Sequence, residues 1–206
     1  MRNKLQRTFE IVGIVLSHIV NTPFVAGAAI TLLLFTLKPD VPQRLLGWGV
    51  SLVFLTIVPA LSLLFYIPRR NEQWSSTEKR QRVMSFVFMA VSYPIGYAIL
   101  KILHAPPIYE AVTLSYVMVV LGLILVNIFF KASGHAAGVA GPVSALIYLY
   151  GLIATPLIAL IPLTMWARVK AKGHTLSQTV VGTILSAAIT VAILIAYGFQ
   201  PGQFLY

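Results

Sequence analysis

The sequence is built from runs of about twenty apolar residues, separated by short polar or proline-containing segments. As an α-helix, a run of that length crosses the ~30 Å hydrocarbon core of a bilayer. Only 10% of the residues are charged, against about 25% in ordinary soluble domains. Backbone polar groups inside a bilayer must be satisfied within the protein, which favours helices. The predicted fold class is therefore all-α, a polytopic membrane helix bundle that forms one integral membrane domain over residues 1–206.

Breaks in the apolar pattern predict six to seven transmembrane helices behind an N-terminal interfacial segment at 1–22. Pro23 marks the end of that segment, because proline lacks the amide hydrogen that a helix interior needs. A polar loop is predicted at 69–82. The predicted single spans are residues 24–37, 45–67, 83–102, 109–130 and 176–197.

The remaining apolar run, 136–166, has 31 residues and as one helix would be ~46 Å long. That length exceeds the hydrocarbon thickness, and Gly151 and Pro156 interrupt the run near its middle. The pattern predicts a hairpin of two short helices, 136–150 and 153–167. The two segments that flank the hairpin are then expected on the same side of the membrane.

Basic residues are distributed unevenly in this topology. The chain has fifteen Lys and Arg against five Asp and Glu, a net charge of +10. Twelve of the cations fall on the side of the N-terminus and three, Lys38, Arg44 and Lys101, fall on the other side. The positive-inside rule predicts that the N-terminus and the basic loops face the cytoplasm, in a protein of the cell membrane. Membrane lipids are the expected surroundings of this charge, and no nucleic-acid partner is expected.

The acidic residues exclude several kinds of site. The chain has no cysteine, and its five carboxylates do not cluster along the sequence. Hard cations and two-carboxylate hydrolases need clustered carboxylates, so no metal and no cofactor are expected. Chemistry is left to histidine, arginine, lysine and backbone N–H groups, and such a set recognises an anion.

Two short motifs lie at the ends of the predicted hairpin, on the basic side. One is Ser133-Gly134-His135; the other is Arg168, five residues, His174, three residues and Gln178. The pair resembles the second and third motifs of the type 2 phosphatidic acid phosphatase superfamily, Pro-Ser-Gly-His and Ser-Arg, five residues, His, three residues, Asp. The resemblance covers a motif-bearing core at about 78–185 and includes the 33-residue separation of His135 and Arg168.

The chain departs from this family pattern at several points. Ala132 replaces the proline of the second motif, Ala167 replaces the serine of the third, and Gln178 replaces the aspartate. The family's first motif, Lys, six residues, Arg-Pro, is absent. Two substitutes are considered for its phosphate-binding cations, namely Lys131 and the loop that carries Lys79, Arg80 and Arg82.

The resemblance implies an integral membrane lipid phosphatase. It would hydrolyse a lipid phosphate or diphosphate, such as an isoprenyl diphosphate or a phosphatidyl phosphate, through a phosphohistidine and without a metal. His174 would be the nucleophile, His135 the general acid and base, and Arg168 the grip on the phosphate, with Gln178 orienting His174. The phosphate-binding set would be Lys131, Ser133, Gly134, Lys79, Arg80 and Arg82.

The residues also allow structural interpretations. Ser133 fits an N-cap, Gly134-x-x-x-Gly138 fits close helix packing, and Thr175-x-x-Gln178 fits a capping box. At the level of function, a phosphotransferase or headgroup transferase of the same fold stays open. A non-catalytic lipid-binding or transport protein stays open as well, and the oligomeric state is not predicted.

Overall fold

The computed structural model describes residues 4–19, 22–37, 40–66 and 74–204, and within these ranges it contains helices and no strand. The α-helices, in chain order, are α1 Lys4–Ile19, α2 Thr22–Thr36, α3 Val41–Leu52, α4 Val58–Ala60, α5 Trp74–Ile102, α6 Pro107–Phe129, α7 Gly134–Tyr150, α8 Leu160–Lys170 and α9 Leu176–Ala196. The predicted all-α class is confirmed.

Five helical stretches in the described part of the chain are long and apolar enough to cross a membrane. They are Val41–Phe65, Val83–Ile102, Pro107–Phe129, Gly134–Lys170 and Leu176–Ala196, and the shorter helix Thr22–Thr36 is also apolar. By length and composition the molecule is a helical membrane bundle.

The first long stretch is an irregular helix. A π-helical turn, Val53–Ile57, separates α3 from α4, and a 3₁₀ segment, Leu61–Tyr66, comes after α4. Pro59 lies in α4, and because it has no N–H to donate, the regular ladder of hydrogen bonds cannot continue through it. The helix therefore changes its winding over residues that include Pro59 and Ser62, which line the main cavity of the bundle.

The loop predicted at 69–82 is wrong over residues 74–82, which belong to α5. The helix begins at Trp74, so residues 74–82 are helical, whereas residues 67–73 lie outside the described part of the chain. The segment Glu78–Arg82 consists of good helix formers, so its polarity does not require a loop. The apolar span within this helix, Val83–Ile102, agrees with the prediction.

The predicted hairpin is confirmed. Helix α7 ends at Tyr150, and Gly151 has a φ of 57°, a conformation that glycine adopts without steric cost. The chain returns through a 3₁₀ segment, Gly151–Ala159, and then α8. The ends of the two limbs meet, and there Lys131 Nζ donates to the Gly173 carbonyl at 3.5 Å.

Small residues let helices approach closely around α7, which packs most extensively against α9. A side chain at Gly138 would collide with Thr22 of α2, and one at Gly182 of α9 would collide with the Ser133 carbonyl. Close approach of small residues is a common way to join helices in a membrane. The packing interpretation of Gly138 is therefore confirmed, and α2 and α9 are held on two sides of α7.

Helix α1 packs against the last turn of α8. An added Cβ at Gly13 would lie 3.0 Å from the Ala167 carbonyl oxygen, and Phe9 meets Trp166 edge-on with ring centroids 6.2 Å apart. These contacts bring Ile14 of α1 to the cavity wall.

Candidate functional site

A cavity of about 670 Å³ lies where α7 begins and α8 ends. Its walls come from α1, α2, α4 with the 3₁₀ segment after it, α5, α6, the start of α7 and the end of α8. The segments between α6 and α7 and between α8 and α9 also contribute. The polar or charged side chains that line it are Thr22, Ser62, Ser85, Asn127, Lys131, His135, Arg168, Lys172 and His174. Apolar residues, including Val83, Phe86, Met89, Ile124 and Ile128, complete the lining.

Five predicted site residues line this cavity, namely Lys131, Gly134, His135, Arg168 and His174. Arg168 Nη2 lies 3.5 Å from His174 Nδ1. A guanidinium only donates hydrogen bonds, so in this arrangement the Nδ1 lone pair of a neutral His174 faces Arg168. The guanidinium of Arg168 and the Nδ1 lone pair of His174 therefore lie at the same end of the cavity.

The segment after α8 holds Arg168 by its backbone. The N–H groups of Gly173 and His174 both donate to the Arg168 carbonyl, at 3.1 and 3.4 Å. The turn requires a positive φ, 56°, at Lys172. Gly173 packs directly on the guanidinium, since an added Cβ would lie 2.6 Å from Arg168 Nη2. The absence of a side chain at residue 173 thus allows the Arg168 guanidinium to occupy its observed position.

The start of α7 contributes backbone donors. Gly134 and His135 are its first two residues and line the cavity. The first N–H groups of a helix have no acceptor within it and attract anions. These donors and the nearby cations would act on the same ligand.

Ser133 is held by hydrogen bonds within the protein. It is the N-cap of α7, its Oγ accepts from the Ala136 N–H at 3.3 Å, and its side chain is fully buried. Its own N–H donates to the Gln178 carbonyl at 3.0 Å. The geometry thus supports the N-cap role of Ser133, and the residue does not line the cavity. Its contact with a phosphate stays a prediction.

Gln178 also has a structural role. Its Oε1 accepts from the Thr175 N–H at 3.1 Å, and its N–H donates to Thr175 Oγ1, which completes a capping box at the start of α9. It does not line the cavity. The capping interpretation is confirmed, and the predicted orientation of His174 by Gln178 is not seen.

The cations proposed to replace the first motif do not all lie in the cavity. Arg80 donates to the Phe65 carbonyl, at 3.1 Å from Nη2, and is not part of the cavity lining. The side chains of Lys79 and Arg82 lie outside the described residues. Lys131, by contrast, lines the cavity.

Sequence reasoning missed several lining residues. Lys172 has the pattern of a membrane anchor, although it precedes His174 by only two positions. Asn127 was detectable as a polar residue near the end of an apolar span, four positions before Lys131. Ser62 and Ser85 gave no local signal, because only the packing of α5 on the irregular helix brings them together.

No aspartate or glutamate lines the cavity among the described residues, and no group of three metal-ligating side chains occurs in the described part of the chain. Comparison with family models, curated proteins and solved structures finds no match.

Proposed function

We propose that the protein is a lipid phosphatase that hydrolyses a lipid phosphate or diphosphate at the cationic end of the cavity. The observation that carries the proposal is that two segments 33 residues apart meet in one cavity. Lys131 and His135 of the first segment line it together with Arg168 and His174 of the second. Phosphoryl transfer needs charge neutralisation, an in-line nucleophile and a proton for the leaving oxygen. This set of side chains can supply all three.

In the proposed reaction Arg168 grips two phosphate oxygens, and Lys131 and the N–H groups of α7 neutralise the rest. The unprotonated Nδ1 of His174, which Arg168 releases as it turns to the phosphate, attacks phosphorus, so that an N–P bond forms while the bond to the leaving oxygen breaks. His135 gives its proton to that oxygen and then takes one from a water, which attacks the phosphohistidine. Inorganic phosphate leaves and both histidines are restored.

The lipid nature of the substrate is supported by the walls. Val83, Val87, Ile124 and Ile128 line the cavity and are also between 42% and 67% exposed. Apolar side chains with such exposure lie at the surface of membrane spans, so an apolar chain can stay in lipid while its headgroup enters the cavity. The proposed location is the cell membrane, with the cationic end toward the cytoplasm, as the charge asymmetry predicts.

A second candidate, binding or transport of a lipid phosphate without turnover, is favoured by one observation. No carboxylate lines the cavity among the described residues, so none is seen to stabilise an imidazolium at His174. The same pocket could then hold an anionic headgroup without reacting with it.

Release of inorganic phosphate separates the two candidates. Purified protein in detergent, freed of divalent metal with EDTA, is incubated with prenyl phosphates, prenyl diphosphates and phosphatidate. We expect multiple turnovers without metal. A rate that depends on an acceptor alcohol would indicate a transferase. Tight lipid binding with no phosphate release would favour the second candidate, and activity that returns only with Mg²⁺ would contradict the mechanism.

A further inference from the structure

Two residues other than glycine have a positive φ in the described part of the chain, His104 at 50° and Lys172 at 56°. They follow α5 and α8 in turns of the same kind. In both turns the residue with the positive φ donates to the carbonyl three positions before it, the residue before it donates four positions back, and the residue after it donates five positions back. The two turns thus have the same backbone hydrogen bonds, and they lie at opposite ends of the bundle.

The turn accounts for a histidine at residue 104 but not for a lysine at residue 172. Histidine, asparagine and aspartate are enriched at positive φ, and glycine adopts it without cost, whereas most other residues do not favour it. The turn after α8 does contain a glycine, but the φ of Gly173 is not positive. The missing side chain of Gly173 serves Arg168 instead. Lysine at residue 172 therefore has to be explained by its side chain.

The side chain of Lys172 is exposed and also lines the cavity, so it lies at the mouth of the cavity. Two other cations converge on the next residue, Gly173. Lys131 Nζ donates to the Gly173 carbonyl at 3.5 Å, and a Cβ added to Gly173 would lie 2.6 Å from Arg168 Nη2. Three cationic side chains therefore border one short segment of the chain.

A phosphate group matches this set of cations. Near neutral pH a phosphate monoester has a charge of about −1.5 to −2 and three acceptor oxygens. The planar fork of Arg168 can bind two of these oxygens, which leaves the third oxygen and the remaining charge for lysine. An ammonium on a flexible stem can follow a phosphate as it enters from the mouth, which a rigid fork cannot do as easily.

We infer that Lys172 binds the phosphate group at the mouth of the cavity, and that the unfavourable backbone conformation of this lysine is tolerated because its ammonium is needed there. The inference rests on the proposed function for the position of the phosphate at Arg168. In the competing role, Lys172 holds the turn through contacts within the protein. Its replacement would then lower the stability without weakening the binding of phosphate.

The test uses matched substitutions in the two turns. Lys172→Gly and Lys172→Asn suit a positive φ and remove the charge, whereas Lys172→Arg keeps the charge. His104→Gly and His104→Asn make the same backbone changes in the matching turn. Each purified protein is titrated in detergent with inorganic phosphate and, separately, with dioleoyl phosphatidate. The rise in Tm with ligand concentration gives a Kd, and the two ligands distinguish free phosphate from a lipid headgroup.

Without ligand, we expect the Tm of Lys172→Gly and Lys172→Asn to equal or exceed that of wild type, because the backbone strain is relieved. With ligand, we expect about three- to tenfold weaker binding, as the loss of one hydrogen bond to a charged group at an exposed position implies. Lys172→Arg should bind nearly as well as wild type. The His104 variants should change the Tm in the same direction and keep the Kd of wild type.

The outcomes separate the inference from the proposed function. Weaker binding of phosphatidate alone assigns Lys172 to the lipid headgroup, weaker binding of inorganic phosphate alone assigns it to the released product, and both support the inference. Unchanged binding in Lys172→Gly and Lys172→Asn overturns it, with or without a lower Tm, and so does equal weakening in Lys172→Arg. If wild type binds phosphate but releases none from any lipid, only the hydrolase fails. If wild type binds neither ligand, both fail.

Discussion

The two ends of the bundle treat polar groups differently. At the end opposite the cavity, Lys101 Nζ and Glu110 Oε2 form an ion pair at 3.0 Å, and the hydroxyls of Tyr97 and Tyr197 lie 3.0 Å apart. Burial and the hydrogen bond with Tyr97 raise the pKa of Tyr197. At the cavity end, histidines, lysines and an arginine face an open volume that no described carboxylate lines.

The C-terminal tail strengthens the contrast. It folds back on the hairpin turn, where the Gly202 and Phe204 N–H groups donate to the carbonyls of Tyr148 and Leu149 at 2.8 and 2.9 Å. Tyr148 returns a hydrogen bond from its hydroxyl to the Phe199 carbonyl. Polar groups at one end thus hold the protein together, while at the other end they line a cavity, where we propose that they bind an anion. Substitutions at the two ends should therefore change different measurements.

The largest difference is expected between two histidines. His174→Ala should reduce phosphate release to background and abolish any covalent phosphoenzyme, because the nucleophile is lost. His104→Asn is the matched change at the opposite end, where His104 is exposed with a φ of 50°, a conformation that asparagine tolerates. Its turnover should equal that of wild type. Wild-type turnover in His174→Ala would contradict the proposed nucleophile.

Two arginines give the next comparison. Arg168→Lys should lower kcat/KM roughly 10- to 100-fold, since an ammonium cannot replace a planar fork on two oxygens. Arg44, at the opposite end, donates to the Leu37 carbonyl at 2.8 Å and so satisfies the end of α2. Arg44→Lys should lower the Tm and leave kcat/KM unchanged. The comparison fails if Arg168→Lys changes only the Tm.

A smaller effect is expected from a methyl group placed under the Arg168 head. Gly173→Ala puts Cβ where the guanidinium now lies, and because the arginine head is flexible, it should move without unfolding the protein. We expect about a tenfold fall in kcat/KM with a Tm change of less than ~4 °C. Gly49→Ala, where an added Cβ meets nothing within 4 Å, is the control. Similar kinetics in the two variants would show that Gly173 does not position Arg168.

The smallest effect is expected at Gln178. Its amide is used in the capping box with Thr175, so Gln178→Asp should leave kcat within about twofold and shift the Tm by a few degrees at most. Steady-state rates and a melting curve measure both quantities. A rise in kcat of tenfold or more would mean that residue 178 reaches His174 when substrate is bound.

Much of the fold was predictable because apolar length and proline position act locally. The spans and the hairpin at Gly151 can be derived from those signals. The helical stretch at 74–82 was missed because its polarity is also typical of a loop, although charged residues such as Glu78 and Arg80 are good helix formers. Pro23 was expected to break a helix, and α1 does end at Ile19 while α2 begins at Thr22. Pro23 lies in the first turn of α2, where its missing N–H is harmless.

The site was predictable only in part. His135, Arg168 and His174 were found because each lies next to a helix end in a recognisable spacing. The sequence allowed two hydrogen-bond partners for each of two other residues. Ser133 could bond the backbone as an N-cap or a phosphate, and Gln178 could bond the backbone in a capping box or His174. The Ser62–Ser85 contact joins helical residues 23 positions apart through the winding change near Pro59, which no local pattern encodes.

The hairpin makes chain length a determinant of the chemistry. Arg168 reaches the cavity at the end of a limb that begins at Gly151. Each residue turns this limb by about 120° in the 3₁₀ segment Gly151–Ala159 and by about 100° in α8. One inserted or deleted residue between Gly151 and Ala159 would swing the arginine to another face of the bundle, although no side chain in the cavity had changed. At the far end of this limb, we expect that one apolar residue can replace another. The number of residues there, however, should matter to the cavity as much as the identity of residue 168.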